Sequence, residues 1–144
     1  MSCRGAGERA PVTVLAGLAG PRRWDRHRGM SIRVEYSPIE GRGLFATRHL
    51  RAGTVVEVAP VLLIPPEQVE LVDETVVRWY VFDWDGESHA VVLGKASMCN
   101  HDEEPNVELV LDDGDQGPVA ELTVTRSVRR GQELLLDYGP DHPL

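Results

Sequence analysis

The segment Gly131-Gln132-Glu133-Leu134-Leu135-Leu136-Asp137-Tyr138-Gly139 decides how this chain is read. A glycine free to take positive φ opens it, and an apolar run of strand length follows, closed by a tyrosine and a second glycine. The expectation is a buried strand over Glu133–Tyr138 entered from a turn. That turn has a counterpart: Thr125-Arg126-Ser127-Val128-Arg129-Arg130-Gly131 parallels Thr47-Arg48-His49-Leu50-Arg51-Ala52-Gly53, and a strand follows each. Two similar β-turn-β units imply a fold with approximate internal symmetry. Taken alone, a tyrosine ending an apolar strand is a core aromatic with its hydroxyl at the surface.

Outward from this segment the pattern is short strands separated by turns: Ile32–Tyr36, Leu44–Thr47, Thr54–Ile64, Val76–Trp84, His89–Leu93, Asn106–Leu111 and Val119–Thr125. Valine, isoleucine, leucine and threonine dominate them, and clusters such as Asp112-Asp113-Gly114-Asp115 divide them. One short helix is expected, opening at Pro65-Pro66, where proline suits a first turn, and running toward Thr75. The fold class is mainly β.

The 144 residues suit one domain, expected over 31–139 and followed by a short tail at 140–144. Residues 1–30 are rich in glycine and arginine without periodicity and read as a disordered leader, with Met30 an alternative start. Val12–Ala19 is interrupted by Gly17 and makes a poor signal-peptide core. No apolar run approaches the ~20 residues that cross a bilayer, so no membrane partner is expected. With only Cys3 and Cys99, neither a disulfide framework nor a four-thiolate metal site is available, and a cytoplasmic location fits best. The leader carries six arginines against two acids, a net +4, which leaves −12 on the remainder of a chain of net charge −8. Such acidity argues against a direct nucleic-acid partner and for a basic protein partner.

Three segments carry candidate chemistry. Glu40-Gly41-Arg42-Gly43-Leu44-Phe45-Ala46 lets backbone approach a ligand closely and offers amides to an anionic group. Ser97-Met98-Cys99-Asn100-His101-Asp102-Glu103-Glu104-Pro105-Asn106 is a polar loop entered from an apolar strand. For His101 a metal role would need partners, and Cys99, His89 and His142 form no recognised ligand spacing, so no metal is expected. The third segment is the one ending at Tyr138. Together, Gly-Arg-Gly-Leu-Phe-Ala, Asn-His-x-x-x-Pro-Asn and Gly-x-Glu-Leu-x-x-Asp-Tyr-Gly, in this order, resemble the SET-domain protein lysine methyltransferases over Ile32–Gly139.

The resemblance implies a β-clip fold whose C-terminal segment threads beside the Asn-His loop as a pseudoknot. It implies S-adenosylmethionine as cofactor, held by Arg42, Gly43, Leu44, Asn100, His101 and Tyr138, with Tyr138 catalytic at the methyl group. The acceptor would be a lysine of a basic protein. Tyr80 and Phe82 are candidates to line the lysine channel, although strand alternation buries such residues regardless of function. The chain departs from the family pattern at Asp102-Glu103 and has no cysteine-rich segment in Pro140–Leu144, which leaves the channel wall to other residues, the substrate, or a partner chain such as a homodimer mate. Asp102, Glu103, Glu104, Asp112, Asp113 and Asp115 are expected to form an acidic rim that attracts the substrate. The alternative function is a catalytically weak β-clip interaction module.

Overall fold

The structure, a computed structural model, describes residues 30–138; the expected leader up to residue 29, Gly139 and the tail with His142 lie outside the described residues. Among the described residues the elements are β1 (Ile32–Tyr36), β2 (Arg42–Ala46), β3 (Val55–Ile64), α1 (Pro66–Asp73), β4 (Val81–Asp83), β5 (His89–Val92), β6 (Asn100–His101), β7 (Val107–Gly114), β8 (Gly117–Val124) and β9 (Glu133–Leu136). They form a four-stranded sheet in the order β1-β2-β9-β6 and a five-stranded sheet in the order β4-β5-β3-β8-β7. The mainly β expectation holds.

Period-two alternation explains the core. Val107, Leu109 and Leu111 of β7 and Ala120, Leu122 and Val124 of β8 turn inward, while Glu108 between them faces solvent. Leu44, Leu50, Leu111, Leu122 and Leu134 are among the largest fully buried side chains. Each contributes about 1.5–3 kcal/mol by leaving water.

The two repeated turns pair with each other. Leu50 and Val128, the fourth residues of the two copies, exchange both backbone hydrogen bonds, at 2.8 and 2.9 Å. The Gly53 N–H donates to the Val124 carbonyl at 2.7 Å, and the equivalent Gly131 N–H donates to the Ala46 carbonyl at 2.7 Å. Both glycines hold left-handed backbone, φ 82° and 80°. Strands follow the same symmetry, with β3 antiparallel to β8 and β2 antiparallel to β9. The internal symmetry read from the repeat is therefore a pseudo-two-fold centred on Leu50 and Val128.

Three local expectations need correction. The strand expected over Val76–Trp84 is a 3-10 turn over Val76–Tyr80 followed by the three residues of β4. The cause is Thr75, whose hydroxyl accepts from the Val77 N–H at 3.2 Å and donates to the Val72 carbonyl at 2.8 Å, coiling the backbone before the strand can start. Asp112-Asp113-Gly114 continues β7 instead of ending it, because Gly117, at φ 106°, closes a tight hairpin in which Gly114 pairs with Gly117. That extension also splits the expected acidic rim. Asp102–Glu104 precede β7 and Asp112–Asp115 sit at its far end, about 25 Å away along an eight-residue strand. The helix, by contrast, begins at Pro66 after Pro65 as expected, and none of its residues is buried.

Candidate active site

The last strand is inserted between elements far from it in sequence. β9 runs antiparallel to β2 and parallel to β6, with Asn100 opposite Leu135 and His101 opposite Leu136. The chain from Asn100 to Asn106 then clasps β9. The Asp102 N–H donates to the Leu136 carbonyl at 3.0 Å and the Asn106 N–H to the Leu135 carbonyl at 3.1 Å. Buried Asn106 adds two side-chain bonds: its amide donates to the Glu133 carbonyl at 2.9 Å, and its oxygen accepts from the Leu135 N–H at 2.9 Å. This is the threading that brings Asn100, His101 and Tyr138 together.

Tyr138 leaves the sheet just past β9 and is held at both ends. Its N–H donates to His101 Nδ1 at 3.0 Å, which places the proton of the neutral imidazole on Nε2. The two rings lie 5.4 Å apart and tilted by 30°, and Asp137 Oδ1 stands 3.9 Å from the same Nδ1. The phenol donates to the Cys99 carbonyl. Burial, reinforced by Cys99 and Glu40 nearby, pushes the phenol far above its ordinary range, so Tyr138 stays protonated at neutral pH. The buried Cys99 thiol is also pushed far up, by desolvation first and then by the Glu57 and Glu133 carboxylates, so it is no nucleophile.

Asn100 ties the glycine segment to this centre. Its amide nitrogen donates to the Glu133 carboxylate at 2.8 Å and the Glu40 carbonyl at 3.0 Å, with the Arg42 carbonyl at 3.4 Å. The same carboxylate accepts from the Ser37 hydroxyl at 2.9 Å. Gly43 is required here, since a Cβ at this position would lie 1.9 Å from Glu133 Oε1. On the other flank, Glu57 accepts from the Lys95 and Ala96 N–H groups at 2.9 and 2.7 Å and fixes the 3-10 turn that leads into Cys99 and Asn100. Among the described residues, no cluster of three His, Cys, Asp or Glu side chains is placed to hold a metal ion.

The SET domain family model matches residues 41–139. The histone-lysine N-methyltransferase, H3 lysine-37 specific, of Schizosaccharomyces pombe is 34% identical over 121 residues, covering 78% of this chain and 80% of that protein. This chain belongs to the SET-domain family of protein lysine methyltransferases. The fold agrees. The crystal structure of a candidate histone methyltransferase from Plasmodium falciparum superposes with a TM-score of 0.66 at 18% identity, covering 78% of this chain and 96% of that one. An inhibitor-bound Polycomb Repressive Complex 2 of Chaetomium thermophilum superposes at 0.64 with 22% identity, covering 83% of this chain and 16% of that one.

Within this SET domain the expected site residues occupy different situations. Asn100, His101 and Tyr138 converge, and Asn100 links them to Arg42 and Gly43. Leu44 is wholly buried and laddered on both sides, to Val34 and Leu134. Tyr80 ends the 3-10 turn, 39% exposed, and Phe82 packs on the core from β4, in the other sheet from β9. Asn106, Glu133, Ser37 and Glu57 received no individual role from sequence. The available signal was polar residues at apolar boundaries: Glu133 heads a leucine run and Asn106 enters a valine-leucine strand.

Proposed function

We propose that this chain transfers a methyl group from S-adenosylmethionine to a lysine of a basic, flexible protein segment, at the crossing of β9 with Asn100–His101. The observation that carries this reading is the convergence of a buried, protonated Tyr138, the Cys99 carbonyl and the Asn100-anchored glycine segment at that crossing. The donor set suits the zwitterionic end of an amino acid. The Asn100 amide oxygen accepts from none of the described residues and is available to an ammonium group, while the Arg42 guanidinium is exposed and available to a carboxylate. Bound there, the cofactor supplies a methyl group activated by its sulfonium for in-line displacement.

The chain's own task is positioning. A free lysine has a pKa of ~10.4, so the amine must arrive or become neutral. Tyr138 cannot take that proton, because its phenol is held above the ordinary range. It orients instead, with its hydroxyl and neighbouring carbonyls forming fixed dipoles around the reacting atoms. Asp102, Glu103 and Glu104 flank the crossing and suit a basic substrate, consistent with a relative named for histone H3. A reducing, cytoplasmic compartment suits the buried free thiol of Cys99.

The test is labelled-methyl transfer to basic proteins, with mass spectrometry of the modified residue, alongside calorimetry with S-adenosylmethionine. Tyr138→Phe is expected to lower turnover roughly a hundredfold while cofactor affinity stays within a few-fold. Unchanged turnover removes Tyr138 from the mechanism, and absence of cofactor binding by the wild type removes the whole reading.

A further inference from the structure

The pairing of Leu50 with Val128 sets two arginine-rich turns side by side. The described residues carry nine cationic side chains against twenty carboxylates, and five of the nine are Arg48, Arg51, Arg126, Arg129 and Arg130 of these turns. All five are exposed, and neither turn contains an acidic residue. Arg126 is engaged by Glu104, with Nη1 at 4.0 Å from Oε2. No ion pair among the described residues involves the other four. In so acidic a domain, four uncompensated guanidinium groups on two adjoining turns form a local field opposite in sign to the rest. Beside them Ser127, Arg129, Arg130, Gly131 and Gln132 line an open cavity of about 550 Å³.

We propose that this face binds the phosphate backbone of duplex DNA. Net charge alone argues against a nucleic-acid partner; the distribution of that charge argues for one here. Three features favour a duplex. Neither turn carries a tryptophan, tyrosine or phenylalanine, and exposed His49 is their single ring, so there is no row of platforms on which successive unstacked bases of a single strand would rest. The large apolar side chains of the turns, Leu50 and Val128, are fully buried, so the face lacks the apolar anchor typical of a protein partner's hot spot. The paired backbone bonds fix the two turns against each other and so set the spacing of the backbone positions that carry the arginines, suited to the regular charge of a stiff helix.

The face is separate from the active centre. It sits at the Gln132 end of β9, and Tyr138 lies at the other end, about 20 Å away over six residues of extended chain. A substrate tail anchored on the same duplex would therefore reach Tyr138 through roughly six extended residues. DNA binding itself stands apart from the methyl-transfer reading and is measured without cofactor or peptide.

Fluorescence anisotropy of a short labelled duplex against salt concentration is the test, using the full chain so that the arginines of residues 1–29 contribute equally to every variant. Replacing Arg48, Arg51, Arg129 and Arg130 together by alanine is expected to reduce the slope of log K against log salt by up to about 3.6, at about 0.9 per phosphate contact. The corresponding four-lysine variant should keep most of the slope, which separates loss of charge from damage to the turns. Methyl transfer to a free peptide should not change in either variant. An alanine variant with wild-type slope and affinity overturns the proposal. So does tighter binding of single-stranded RNA or of an acidic peptide than of duplex at equal salt.

Discussion

Replacing Asn106 by alanine tests whether the clasp around β9 builds the active centre. The wild-type side chain satisfies the Glu133 carbonyl and the Leu135 N–H, each at 2.9 Å, in a residue 5% exposed. Alanine fills neither role, and each orphaned buried group costs about 1–3 kcal/mol, so the expected loss is roughly 2–6 kcal/mol. That is a large share of the ~5–15 kcal/mol that holds a domain together. Urea unfolding followed by circular dichroism should show the midpoint falling by about 1 M or more, given slopes of about 1–3 kcal/mol/M. Leu109→Ala is the control, since a core truncation on β7 costs a comparable ~2–5 kcal/mol without touching β9 hydrogen bonds. Turnover per folded molecule should fall in Asn106→Ala and hold in Leu109→Ala. A stability loss below about 0.5 kcal/mol, or equal specific activity in the two variants, refutes the clasp.

Three further outcomes follow from the same geometry. Glu133→Ala removes the acceptor of Asn100 and should weaken S-adenosylmethionine binding about tenfold, the equivalent of about 1.4 kcal/mol, whereas Glu133→Gln keeps an oxygen and should lose only a few-fold by calorimetry; equal losses would show that Glu133 acts as packing alone. Cys99 and Tyr138 are raised above 9.0 and 10.0, so the unfolded chain releases their protons first: the stability they confer is full below about pH 9 and is lost as pH climbs beyond it. A urea midpoint that stays level from about pH 9 to 11 would contradict this. The combined neutral variant Asp102→Asn, Glu103→Gln, Glu104→Gln should raise KM for a basic peptide several-fold at low salt and little at high salt, whereas the same amide changes at Asp112, Asp113 and Asp115 should not. Equal KM shifts at the two ends of β7 would count against a local role for the first cluster.

The alternating valines and leucines of β7 and β8 make those strands legible, because a period of two fits a half-buried ladder and no helix. The paired turns were equally open to reading, since Leu50 and Val128 stand at matched places in the repeat. Val76–Tyr80 was not, because all its residues suit a strand and the deciding atom is a threonine hydroxyl just outside the run. β6 is two residues long, too short for any period, and exists only because β9 arrives beside it from 35 positions away. For the same reason Tyr138, Asn100 and His101 are recognisable as motif residues, while the roles of Asn106 and Glu133 depend on partners that sequence order does not reveal.

The asymmetry between the two repeats explains why only one of them ends in a site. After the first turn the chain runs into the ten residues of β3, paired with β8 and β5, and stays in the sheet. After the second it runs into the four residues of β9. That short strand ends while β6 and the Asp102 amide still hold its edge, so the backbone leaves the sheet at Asp137 against a fixed neighbour. Tyr138 is then fastened by groups outside the ladder, His101 at its amide and Cys99 at its hydroxyl. Extending β9 by continued pairing would satisfy the Tyr138 N–H with backbone and release His101, and the phenol would lose the carbonyl that orients it. The geometry of the Tyr138 crossing depends on a strand that stops early as much as on the residue that follows it.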